Sequence, residues 1–139
     1  MMDWADLRLM PRIDVETFCS ELVDGRDRPG LVVDLSPEGA RLERPYVGGP
    51  TPREIVIELE VPEIDEVIWA RGEVCFDQIR QAPPGRGGAF GLLRTTGIRL
   101  VAAACRDLRM LRECVIETHR LRVARERDHL LDAACYARG

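Results

Sequence analysis

The sequence predicts a mainly β fold: six antiparallel strands closing into a barrel, followed by one long C-terminal α-helix. Three observations carry this expectation. Between residues 14 and 101, short stretches of alternating apolar and polar residues recur, separated by Pro and Gly punctuation. No helical pattern interrupts them, which favours a closed antiparallel barrel. From residue 102 the composition changes: there is no Pro, no Gly before Gly139, and Ala, Leu, Arg and Glu, all good helix formers, dominate.

Residues 1–13 read as a flexible N-terminal segment, 14–101 as the barrel and 102–137 as the helix. The first strand is DVETFCSELVD (14–24), in which Val15, Thr17, Cys19 and Glu21 alternate with Glu16, Phe18 and Ser20. The charged sequence GRDRPG reads as a turn into LVVDLS (31–36). PEG is a tight turn into ARLE (40–43), and PYVGGPTP is a loop. REIVIELEV (53–61) alternates Ile55, Ile57, Leu59 and Val61 with polar positions, as a half-buried strand does. EVIWARGEVCF (66–76) follows, with Gly72 marking a bulge or bend. APPGRGGAFG reads as a flexible loop and TTGIRLV (95–101) as the last strand. On the helix, Ala104, Leu108, Leu111 and Val115 form a seam suited to packing on the barrel mouth. A second seam, through Cys114, Leu121, Ala124, Leu131 and Cys135, is left over for a partner or a second copy.

At 139 residues, 45% hydrophobic and 32% charged, the chain has the profile of one globular domain with an extra element. No apolar run spans a bilayer, and the N-terminus has acidic residues where a signal peptide carries basic ones, so a cytoplasmic, non-membrane protein is expected. The five cysteines lack any CxxC pair, which suits a reducing compartment and suggests five small buried hydrophobes rather than disulfides or zinc. All 20 basic residues are arginine. The net charge of −4 argues against general nucleic-acid binding. An anionic ligand would therefore need a locally concentrated site. His119, Glu126 and His129 do not share one helix face, and GRGGAFG lacks the Lys-Ser/Thr of a phosphate-binding loop, so neither metal nor P-loop chemistry is expected. The arginines at 120, 122, 125 and 127 suit a helix C-terminus and read as a solvated face or as a patch for an acidic partner.

Two short motifs remain. Arg8-Leu-Met-Pro-Arg12 keeps two guanidinium groups on one side of the chain just before the first strand. Asp34-Leu-Ser36-Pro-Glu-Gly39 sets a carboxylate and a hydroxyl on one face of a strand end that runs into a turn. Arginine forks suit phosphate oxygens and the O6/N7 edge of guanine, whereas a carboxylate accepts from guanine N1–H and N2–H₂ donors. A ligand with clustered phosphates and guanine edges would satisfy the whole set. Taken singly, Asp34 and Ser36 also suit an ordinary side-chain-capped turn.

An RxxxR followed by a DxSxxG, opening a six-stranded barrel that ends in a GIRL-like strand, resembles the PilZ domain family over about residues 7 to 105. The resemblance implies non-catalytic binding of cyclic di-GMP. Arg8 and Arg12 would wrap the ligand, while Asp34, Ser36 and Gly39 would form the barrel-surface motif. Arg41, on the strand after Gly39, would also reach the ligand. Phe76, with Trp69 as the second choice, matches the late-barrel position that stacks on a guanine. Leu7, before the first arginine, resembles the form that binds a single nucleotide. The expected function is a second-messenger receptor or adaptor acting through a partner. Two alternatives stand beside it: a PilZ-like interaction module of motility or pilus machinery with no nucleotide, and an OB-like binder of single-stranded nucleic acid.

Overall fold

The computed structural model describes residues 12–23, 25–50, 52–61 and 66–138. Six strands, β1 (Ile13–Val23), β2 (Arg26–Leu35), β3 (Gly39–Pro45), β4 (Glu54–Glu60), β5 (Val67–Gln81) and β6 (Leu92–Ala103), precede one helix, α1 (Cys105–Arg138). The strands pair in the order β1-β2-β3-β6-β5-β4, all antiparallel, and β4 returns to β1, so no edge is left open.

Period-two patterning decides which side chains enter the barrel. Val32, Leu42, Ile55, Ile57, Leu59, Ile68 and Ile98 alternate inward along five of the strands and are buried. Leu111 and Val115 of α1 join this cluster with Ile13, Leu35 and Ala40, so the first turns of the helix seal one end of the barrel. Of the helix-docking seam, Leu108 is half-buried and Ala104 is exposed, lying between β6 and the helix.

Several boundaries differ from the sequence expectation. The GRDRPG segment is not a turn: Arg26–Gly30 continue β2, pairing from Val23↔Arg26 to Cys19↔Gly30. Pro29 is tolerated because β2–β3 pairing stops at Leu31↔Glu43, so Pro29 lies where β2 has a neighbour on one side only. The last strand extends from Leu92 to Ala103, and the helix begins at Cys105 rather than at 102, because Ala102 and Ala103 pair with Arg71 and Ala70. Gly72 does mark a bulge in the β5–β6 pairing, and a Cβ there would lie 2.7 Å from Ile98 Cδ1. The cysteines are not uniformly buried. Cys19 is, but Cys75 and Cys105 are exposed and Cys114 is intermediate, and none of the four is in a disulfide. Leu7, Arg8 and the Cys135 side chain lie outside the described residues. No helix among the described residues is long and apolar enough to cross a membrane.

Candidate functional site

The site is built on the outer surface of β2, β3, β6 and β5. Strand register places directly opposed residues on the same face, and three successive pairs form one continuous row: Asp34↔Arg41, Arg41↔Gly97 and Gly97↔Phe76. The neighbours along the chain, Leu42 and Ile98, point inward and are buried, so the row faces outward. Three of the residues singled out from sequence therefore share one line across four strands. Gly97 makes the line continuous. A Cβ at Gly97 would collide with the Phe76 ring, so the ring lies over the bare glycine backbone. The register shift between Val74 and Phe76 leaves Cys75 unpaired and sets Phe76 opposite Gly97 on this row.

Asp34 lies at the β1-proximal end of the row, with Asp14 opposite it on β1 and Arg41 opposite it on β3. Its carboxylate is largely buried, and an Arg12 Nη2 stands 3.7 Å from its Oδ2. Arg12 thus leans over the DxSxxG strand, and Ile13 beside it is buried in the core. Arg8 lies outside the described residues.

Arg41 carries the most informative feature. Its Nε is buried and has no hydrogen-bond partner among the described residues, and the guanidinium makes no ion pair with any of them. A buried, unsatisfied cationic donor costs free energy unless something supplies an acceptor. It sits between a carboxylate and an aromatic ring, a combination suited to a planar, polar, anionic ligand.

Ser36 and Gly39 form the turn. Ser36 Oγ accepts from the Gly39 N–H at 3.0 Å and the Glu38 N–H at 3.4 Å, and donates to the Gly39 carbonyl at 3.3 Å; the Ser36 N–H donates to the same carbonyl at 2.9 Å. The hydroxyl is buried and occupied in holding the turn, the role a serine plays in a self-capped loop. Gly39 is the first residue of β3, paired with Arg99, while positive φ occurs at Gly25, Gly48, Gly49, Gly85, Gly88 and Gly91 instead. Trp69 is half exposed but opposes Glu58 on β4, away from the row. Of the two aromatic candidates, strand register brings only Phe76 onto the row that holds Arg41.

Gly97 escaped the sequence reading. The signal for it was the GIRL strand itself: a glycine inside a β-pattern marks a close approach by a neighbouring group.

No family model matches the chain, and no curated protein matches it. Solved structures do. An inhibitor of motility from Bacillus subtilis (MotI/DgrA) superposes with a TM-score of 0.61 at 15% identity, over 78% of this chain and 49% of that one. This chain therefore spans about half the length of that protein. The PilZ domain of YcgR from Escherichia coli, solved with c-di-GMP, superposes with a TM-score of 0.59 at 16% identity, over 84% of this chain and 94% of that one. The closed six-stranded barrel with its long C-terminal helix is structurally similar to PilZ domain proteins, and the fold of this chain is of that kind.

Proposed function

We propose that this protein is a non-catalytic receptor for cyclic di-GMP, bound on the Asp34–Arg41–Gly97–Phe76 row. The observation that carries the reading is Arg41, partly exposed with a buried Nε that no described residue accepts from, in the row between Asp34 and Phe76. Arg41 and Arg12, with Arg8 from the segment before them, supply charge to the phosphates. Asp34 accepts from the N1–H and N2–H₂ of a guanine, and Phe76 offers a face to a base. Ser36 and Gly39 act by shaping the turn that holds Asp34 in place. The solved complex of the YcgR domain with c-di-GMP supports this choice of ligand. With no catalytic group in the row, the output passes to a partner or a second copy through the exposed part of α1, in the cytoplasm.

Isothermal titration of the full chain with cyclic di-GMP, and in parallel with cyclic di-AMP, tests the reading. Adenine lacks the two donors that Asp34 accepts, so saturable binding of the guanine ligand with at least about ten-fold weaker binding of the adenine one is expected. Absence of binding by both would favour the interaction-module reading, which the committed hydroxyl of Ser36 supports.

A further inference from the structure

The two ends of the barrel are finished in opposite ways. At the helix end, the inward side chains and the α1 plug are apolar. At the other end, the inward positions are charged. Glu21 of β1 opposes Arg28 of β2, and Arg44 of β3 opposes Arg94 of β6. Two arginines directly opposite each other across strands repel, and side chains this deep are desolvated, so the arrangement costs stability that an apolar pair would not. Each arginine is held by its own carboxylate. Arg44 Nε lies 2.7 Å from Glu21 Oε2 and its Nη1 donates to Thr96 Oγ1 at 2.9 Å. Arg94 Nε donates to both oxygens of Asp77 at 3.1 Å, and its guanidinium stands 5.7 Å from the centre of the Tyr46 ring. Thr96 Oγ1 links the two halves by donating to Asp77 Oδ1 at 2.6 Å.

These groups floor a cavity of about 830 Å³ that opens beneath the loop after β3. That volume falls in the range of small-molecule sites, roughly 300–1,000 Å³. Glu21, Arg28, Arg44 and Arg94 line it, and Val23, Pro29, Val47 and Pro50 supply an apolar wall. Among the described residues the charges do not balance: Arg28, Arg44 and Arg94 face Glu21 and, behind Arg94, Asp77, an excess of one positive charge. Two donor sets remain unspent. Nη2 of the nine-tenths buried Arg44 donates to no described residue, and Arg28, on the rim, makes no ion pair with one.

We propose that this end of the barrel is a second ligand site, for a small organic monoanion on an apolar body. The anionic group would seat against Arg28 and the free edge of Arg44, and the body would lie along the valine and proline wall. The site is separate from the outer row: its floor of Glu21, Arg44 and Arg94 is buried at the barrel mouth, whereas the row lies on the outer surface, so the proposal stands whether or not cyclic di-GMP binds.

Anilinonaphthalene sulfonate, one sulfonate on an apolar two-part body, is a suitable probe, and phenylnaphthylamine is the same body without charge. The full chain should bind the sulfonate saturably at one site, read by fluorescence, and the uncharged compound at least about ten-fold more weakly. Arg28→Glu should weaken the sulfonate by at least about ten-fold, and Arg28→Lys much less. Leu130→Asp, on the exposed helix, should leave the affinity unchanged, and cyclic di-GMP should not displace the probe. Equal binding of the two probes, no effect of Arg28→Glu, loss on Leu130→Asp, or displacement by cyclic di-GMP would each overturn the second site.

Discussion

Single residues in this barrel carry separable loads. Glu21 is buried, and its ion pair with Arg44 is the only one that a described residue makes with that arginine. Glu21→Ala would strand a buried cation and should destabilise by about 3–5 kcal/mol, whereas replacing both residues by Met should be close to neutral; urea unfolding of the two variants checks the contrast. On the outer row, Arg12→Ala and Asp34→Ala should each weaken cyclic di-GMP by ten-fold or more, the loss of about 1.5–3 kcal/mol of charge-assisted bonding, with unfolding midpoints little changed. Gly97→Val should behave as Phe76→Ala does toward the ligand, since a side chain at Gly97 displaces the ring, and stacking on an aromatic contributes about 1–3 kcal/mol. Titrations that leave the Gly97 variant at wild-type affinity would remove Phe76 from the site. The cysteines report burial chemically. Desolvation, reinforced by the Glu21 charge, pushes the Cys19 thiol from 9.0 up to about 11. Burial also raises Cys75, though Arg99 nearby pulls the other way. Among the described cysteines of the folded protein, alkylation at mildly alkaline pH should reach the exposed Cys75 and Cys105 well before the buried Cys19. The sign of the linkage follows: the neutral thiol is favoured in the fold, so stability is intact below pH 9 and declines between pH 9 and 11 as the unfolded thiol ionises ahead of the folded one.

The helix divides into two parts by what it touches. Leu111 and Val115 have no exposure, so Leu111→Ala should cost about 2–5 kcal/mol through the cavity it leaves. From Glu117 to Ala133 almost every residue is exposed, including Leu121 at 49% and Leu131 at 58%, the leftover seam read from the sequence. A second line runs beside it: Ile116, Val123 and Leu130, seven residues apart, with Val123 at 41% and Leu130 at 70% exposed. Seven-residue spacing is that of a helix-pairing seam, so this line competes with the first as the partner-facing stripe. Light scattering separates them. If the chain self-associates through the helix, Val123→Glu with Leu130→Glu and Leu121→Glu with Leu131→Glu will differ in which pair lowers the mass, and neither pair should alter cyclic di-GMP binding.

At the scale of the molecule, closure of β4 onto β1 joins residues distant in the chain, such as Cys19 with Leu59 and Leu22 with Val56, which ties the six strands into one cooperative unit. Exposed helix beyond Ile116 lies outside that unit. Hydrogen exchange should therefore show the amides of β1, β4 and β6 opening only with global unfolding, while those of 120–133 exchange through local fraying at far lower free energy. Uniform protection along α1 in dilute solution would mean that a second copy covers the distal half.

Alternation and punctuation in the sequence determined the class of fold and its parts: a strand with Ile55, Ile57, Leu59 and Val61 on one side has only one way to hide them, and a Gly- and Pro-free, Arg- and Leu-rich tail has little choice but to be helical. Local physics sufficed there because each residue's preference depends on its neighbours in the chain. The tertiary structure alone decided what depends on register. That Asp34, Arg41 and Phe76 fall on one row follows from which residue opposes which across β2, β3, β6 and β5, and a shift of one residue would have put them on different faces. The charged end of the barrel was hidden for the same reason. Arg28, Arg44, Asp77 and Arg94 are scattered through the sequence with unremarkable neighbours, and the GRDRPG segment looks like a solvated turn. Only strand pairing turns their side chains inward and brings them to one mouth, where the low dielectric makes every unmatched charge count.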